Sequence, residues 1–376
     1  MKSVVPIMRE REPFPVGLAD ISVRIADRAG AVDAGEATLR EDFDALRDAG
    51  VFTAALPEGS GGADLGLTAA SVPQTCDLLR ALGRANLCIA RIVEGHINAV
   101  KLVHLHGTPE MRNAVFAHVS EGAIMGVWGA DAGPPVSLEE AGQRWTIRGA
   151  KRFASGLGDV SLAVVPLRDT QGRSQLVVVP VDEEERADPS TWTVSGMRGT
   201  VSGTYDLDGI SVSHADLLGE PDDYQREPWF EGGIWRYCAA HVGGAEALVE
   251  EMRRALAERG HDGTPQQRER IALAVACCET GRLWTERSAV LVESAMDPEA
   301  AVAHALLGRE TVERQCVEVM RLAERALGMG AFVEGTTMDR LRRDLSLYLR
   351  QAAPDAKMEA ATRRLLALSR PVGAIW

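Results

Sequence analysis

The residue types able to do chemistry exclude several mechanisms by their spacing alone. Cys76, Cys88, Cys238, Cys277, Cys278 and Cys316 are scattered through apolar helical patterns, with no C-x-x-C pair and no clustered histidine partners. They read as small hydrophobes in a reducing compartment, and no metal site is expected. His104 and His106 share a helix end without a carboxylate triad, and His241 sits in an apolar helix where a core histidine is expected. Gly156-Leu157-Gly158 and Gly328-Met329-Gly330 are too short to complete a G-x-G-x-x-G turn between a strand and a helix.

The elements that carry these residues fall into three stretches. The chain has 376 residues with 45% hydrophobic content, enough for two or three packed units. Its balance of 41 basic and 54 acidic side chains gives a net charge of −13, which repels nucleic acid and anionic lipid surfaces. Charges at Arg9 to Glu12 interrupt any leader-like apolar run, and no run reaches membrane-spanning length, so a cytoplasmic protein without nucleic-acid or membrane partners is expected. Residues 1–122 carry three- and four-residue apolar spacing, with Thr108-Pro109 opening one helix. Residues 123–219 carry short β-rich runs at Ile124 to Trp128, Trp145 to Ile147, Leu162 to Val165, Leu176 to Val181 and Thr204 to Leu207, read as an antiparallel barrel or sandwich. In residues 220–376 helices are expected over Trp235 to Arg259, Gln266 to Met296, Pro298 to Gly328 and Thr337 to Leu349, with Pro354 stopping the last. The fold class is therefore α+β multidomain, ending in a four-helix bundle whose apolar stripes suit a homodimer or homotetramer.

Motifs at five places along the chain, two of them double, resemble in this order the acyl-CoA dehydrogenase superfamily. Pro57-Glu58-Gly59-Ser60-Gly61-Gly62 resembles its P-E-x-x-G-G turn, and Gly107-Thr108-Pro109-Glu110 its G-T-x-E segment. Gly149-Ala150-Lys151-Arg152-Phe153-Ala154-Ser155-Gly156 resembles G-x-K-x-W-I-T-N. Gly196-Met197-Arg198-Gly199-Thr200 resembles G-x-R-G-[ST], and Leu207 to Val212 the F-D-x-V-x-V strand that follows. Leu327-Gly328-Met329-Gly330 and Arg340-Leu341-Arg342-Arg343-Asp344 resemble the G-G-x-G and R-x-x-R-D elements.

The resemblance implies an FAD-dependent oxidoreductase acting on the CH–CH group of an acyl thioester or a related small molecule. An isoalloxazine needs an apolar wall and a hydrogen-bond donor near N5. Phe153 and Ser155, flanking Ala154, supply those types, two apart and on one face if the segment is a strand. Val127, Trp128 and Gly129 would present backbone groups to the flavin pyrimidine. Arg259, Arg325 and the run Gly328, Met329, Gly330 would serve the phosphates, Arg259 across a subunit interface, although Asp262 stands where the family stacks a Phe. Trp235 and Arg236 fall on the substrate side.

The family's α-proton base does not carry over. Ala352 stands at the usual Glu position and Trp235 at the alternate one, leaving Glu231 and Asp355 as the nearest carboxylates in sequence. Without a base, the alternatives are a flavin-dependent monooxygenase or oxidase on the same fold, or a non-catalytic flavin-binding homologue.

Overall fold

A computed structural model describes residues 17–351 and 353–376. Helices α1 (Leu18–Ala34), α2 (Arg40–Asp48), α3 (Val72–Ala85), α4 (Leu87–His106) and α5 (Pro109–Ser120) come first. In α1 the buried side chains Leu18, Ile21, Ile25, Ala29 and Val32 recur at helical spacing and form one apolar stripe. α4 is buried along most of its length. α5 starts as its sequence directs: Thr108 accepts the Met111 N–H, and Pro109 occupies the first turn, where its missing N–H costs nothing.

Ten strands follow: β1 (Ile124–Val127), β2 (Ser137–Ala141), β3 (Arg144–Arg148), β4 (Ala150–Arg152), β5 (Val160–Arg168), β6 (Ser174–Pro180), β7 (Ala187–Asp188), β8 (Thr204–Asp206), β9 (Ser211–Val212) and β10 (Leu217–Leu218). One sheet runs β10-β6-β5-β2-β3-β9 with β1 also on β5, and a second runs β4-β8-β7. The pairing is mostly antiparallel, with two departures from the expected pattern, both on β5: β2 meets it in the parallel sense at Ser137 opposite Arg168, and β1 does so over a longer stretch. β1 lies parallel to β5, Met125 opposite Leu162 and Val127 opposite Val164. The β2–β3 hairpin and the departure of β4 into the second sheet turn the chain so that β5 runs in the same sense as β1.

The last part holds α6 (Trp235–Glu258), α7 (Pro265–Ser294), α8 (Pro298–Leu327), α9 (Thr337–Tyr348) and α10 (Pro354–Ala367). α6, α7 and α8 pack on one another, α10 lies along α8, and α9 crosses α6. Pro354 does more than stop a helix. It opens α10 from the first turn, the one helical position where proline is well tolerated. Among the described residues, no helix is long and apolar enough to cross a membrane.

Candidate functional site

β4 ends at Arg152, and Phe153 takes a left-handed φ of +56°. Phe153 and Ser155 therefore do not share the face of a strand, as expected from period two; a turn places them. Ala154 is buried and its N–H donates to the Gly203 carbonyl at 3.0 Å, so it belongs to the support of this turn. The Phe153 ring stays 52% exposed, with the Arg152 guanidinium 4.9 Å and the Trp192 ring 6.1 Å from its centroid. Trp128 is buried against Tyr205, and its indole N–H donates to the Ser155 carbonyl at 3.2 Å. The indole fastens the turn from behind.

The loop that receives this turn is itself strained. Met197 and Val201 have φ of +55° and +43°, conformations that a β-branched residue in particular rarely adopts. The arginine-rich motif on α9 holds the loop in place. Met197 N–H donates to Asp344 at 2.5 Å, Arg343 donates to the Ser195 carbonyl, and a Cβ on Gly196 would stand 2.3 Å from the Arg343 carbonyl oxygen. Burial pushes the Asp344 carboxyl up to about 6. The Gly196–Thr200 and Arg340–Asp344 motifs thus meet as one structural clasp. Behind Ser155 lie two hydroxyls to which the sequence assigned no role: Ser202 donates to Ser155 at 2.8 Å, and Ser202 and Thr200 stand 2.7 Å apart. Their spacing at 200 and 202, just after the glycine motif, was the available signal.

The segment after β1 forms the neighbouring wall. Trp128 N–H is taken by the Val164 carbonyl at 3.1 Å and Val127 lies within β1, so parallel pairing with β5 occupies backbone expected to face a ligand. Gly129 is exposed, and the N–H groups of Gly129 and Ala130 have no hydrogen-bond partner among the described residues. Buried Lys151 shapes this loop by donating to the Gly129 carbonyl at 3.3 Å, the Pro166 carbonyl at 2.6 Å and Asp131 at 2.5 Å. His96 anchors the strand below it. Met125 N–H donates to its Nδ1 at 3.0 Å, which assigns the proton to Nε2, 3.0 Å from the Phe52 carbonyl. Two clefts flank the region, one of about 420 Å³ beside Ala132–Pro135 and one of about 650 Å³ beside Trp192 and Val201. An exposed aromatic face, a supported hydroxyl and outward backbone donors together fit an isoalloxazine ring.

At the far end of the bundle, Arg259 Nη1 lies 3.4 Å from the Leu327 carbonyl, and a Cβ on Gly330 would stand 2.7 Å from Arg259 Nη2. Arg325, Gly328 and Met329 are exposed beside it. The structure brings Arg259 together with Leu327 and Gly330.

Three of the remaining candidates are held in hydrogen bonds or ion pairs. Trp235 and Arg236 are buried and bind Glu293 at 3.2 and 3.0 Å, which removes both from a substrate-facing surface. Glu231 is ion-paired with Lys357 at 3.2 Å and Arg364 at 3.3 Å, tying α10 to the start of the bundle. Asp355 is exposed in the first turn of α10. Ala352 lies outside the described residues.

Comparison with known proteins agrees with this architecture. Residues 21–123 match the family model of the acyl-CoA dehydrogenase N-terminal domain. A probable FMNH2-dependent monooxygenase of Pseudomonas putida is 24% identical over 208 residues, covering 54% of this chain and 49% of that protein. The match thus spans about half the length of that curated relative. Methanesulfinate monooxygenase from Pseudomonas fluorescens superposes with a TM-score of 0.81 at 20% identity, over 96% of this chain and 98% of that one. A dibenzothiophene monooxygenase of Paenibacillus sp. A11-2 bound to FMN and indole gives 0.79 at 18% identity, over 95% and 98%. The fold is that of the acyl-CoA dehydrogenase-like flavoproteins.

Proposed function

We propose that this chain, with its acyl-CoA dehydrogenase-like fold, is a flavin-dependent monooxygenase of a small organic substrate. The observation that carries this reading is the state of the carboxylates. Position 352 is Ala, Glu231 is ion-paired with two cations and Asp355 sits at the surface, so none of the positions that the resemblance offers for α-proton removal holds a free, buried carboxylate. When bound in its reduced form, flavin supplies two electrons to dioxygen, one oxygen atom entering the substrate and the other leaving as water. Phe153 would cover the ring, the Gly129 and Ala130 amides would serve the pyrimidine, and the Ser155 hydroxyl would serve N5.

Reduced FMN is favoured over the expected FAD. Asp262 replaces the Phe that stacks in the family, and the P. putida relative bears an FMNH2-dependent description. Arg259 beside Gly330 is the phosphate site in this reading. Exposed Leu273, Val275, Leu283 and Val290 on α7 support a homo-oligomer that joins it to a neighbouring flavin.

The test is anaerobic loading with reduced FMN followed by an oxygen pulse with small organosulfur and aromatic compounds, against a parallel anaerobic series of acyl-CoA thioesters. Oxygenated product supports the reading. Rapid bleaching of oxidised flavin by a simple acyl-CoA overturns it in favour of a dehydrogenase. In that series, Ala352→Glu is expected to gain acyl-CoA-dependent bleaching that the unmodified protein lacks.

A further inference from the structure

The hydroxyls behind Ser155 form a chain with a property that flavin contact alone does not require. Thr200 and Ser202 are 1% and 4% exposed, so neither finds its partners in solvent. A hydroxyl donates once and accepts twice, so three in a row can be polarised in either of two senses. In the outward sense Thr200 donates to Ser202 and Ser202 to Ser155, at 2.7 and 2.8 Å, which leaves the Ser155 proton for a group outside the chain. In the inward sense Ser155 donates to Ser202, Ser202 to Thr200, and Thr200 to the Met197 carbonyl at 2.8 Å, which leaves the Ser155 oxygen as an acceptor.

Both senses close without stranding a buried group. The Met197 carbonyl also accepts the Trp192 indole N–H at 3.0 Å and the Thr200 backbone N–H at 3.1 Å, so it stays satisfied when the Thr200 hydroxyl turns away. Without the chain, the other acceptor near the Ser155 proton is the Phe153 carbonyl at 3.5 Å, the limit of a useful bond.

We infer that Thr200 and Ser202 are positioning residues that let Ser155 alternate between donor and acceptor toward flavin N5 as the redox state changes. The inference rests on the flavin reading above. N5 of oxidised flavin accepts a hydrogen bond and is served by the outward sense; N5 of reduced flavin carries a hydrogen and is served by the inward one. The switch consists of three O–H rotations, with no proton or electron transferred along the chain.

Thr200→Val removes the inner terminus while keeping the side-chain shape, so the Ser202 proton is left with Ser155 as its acceptor and the outward sense is locked. Binding of oxidised and of reduced FMN to the protein is measured anaerobically by fluorescence titration. Kd for reduced FMN is expected to rise about three- to tenfold, the loss of one ordinary hydrogen bond, with oxidised FMN changing less than about twofold. Thr200→Ser, which retains the hydroxyl, restores the original ratio. Ser202→Ala cuts the chain one link earlier and gives the same selective loss, so the test survives if the valine variant does not fold. Equal changes in both redox forms, or none, while Ser155→Ala still weakens FMN binding, overturn the inference and leave the flavin reading intact. If the unmodified protein binds neither form of FMN nor FAD, both fall together.

Discussion

The seam between α4, α6 and α7 and the turn at Phe153–Ser155 both place polar side chains at element junctions, yet they do opposite work. In the seam the Glu293 carboxylate receives Trp235, Arg236 and Lys101, while Arg236 reaches Asn98 at 3.1 Å and Asn98 reaches Glu94 at 3.2 Å. Arg236 and Glu293 are each 1% exposed at the side chain. Charge meets charge there, and burial leaves the Lys101 ammonium easier to deprotonate, at about 8. At the turn the backbone is strained, the hydroxyls are buried at one end only, and the last of them faces outward with Phe153 and the Gly129 amide. The ion pairs lock the three helices, with the Arg236 Nε, alone of their donors, left without a partner among the described residues, whereas the network behind the turn ends at a surface. Trp235 and Arg236, expected on the substrate side from the family resemblance, are held in this seam by Glu293.

The sharpest way to break this contrast is Glu293→Gln. It leaves two buried cations short of a counter-charge, and a loss of about 3–5 kcal/mol in unfolding free energy is expected by denaturant titration. A drop below about 1 kcal/mol would mean that water reaches the seam.

Asp344, the clasp between α9 and the strained loop, gives the next largest effect, read as pH dependence. Folding raises this carboxyl from 3.8 to about 6, so the folded state holds its proton longer. The associated stability is complete below about pH 4 and is lost as pH rises through 6, up to about 3 kcal/mol across the window. Asp344→Asn should flatten that part of the stability–pH profile relative to the unmodified protein. Parallel profiles for the two would show that the carboxyl titrates normally.

Ser155→Ala separates the two regions. Flavin affinity or reduction potential should change by roughly 1.5–3 kcal/mol, since a hydrogen bond to a group gaining charge is lost, with little change in unfolding free energy. An unchanged spectrum, affinity and potential would remove Ser155 from the site. The smallest effect is expected from Asp355→Asn. As an exposed carboxylate it should leave the oxygenation rate unaltered, and a rate loss above about tenfold would give it a part in proton transfer.

The long helices were readable because their periodicity is reinforced by punctuation. α8 was expected over Pro298 to Gly328 and ends at Leu327, bracketed by the Asp297 cap and a glycine with φ of +60°. β2 escaped because its Ser-Leu-Glu-Glu-Ala sequence offers one buried apolar residue, Leu138, against two exposed glutamates. At the site, side-chain types were legible and backbone geometry was not. Alternation along a strand cannot announce that Phe153 turns left-handed, since nothing local in that residue prefers it; the clasp from α9 imposes the neighbouring loop from far along the chain. Hydroxyls at 155, 200 and 202 become neighbours only through the pairing of β4 with β8. The same holds for Glu293, whose partners lie on two other helices.

The attachment of α10 has one more consequence. Its buried side chains are two alanines, Ala360 and Ala361, so little apolar surface secures it. Its grip comes from Lys357 on Glu231, Arg364 on Glu227, Glu231 and Glu299, and, just beyond the helix, Arg370 on Asp297. Dissolved electrolyte competes directly with such contacts, since mobile ions screen partly exposed charges beyond about 10 Å at 0.1 M and about 3 Å at 1 M. The docking of α10 is therefore expected to loosen as ionic strength rises, while the apolar packing of α6, α7 and α8 depends far less on it.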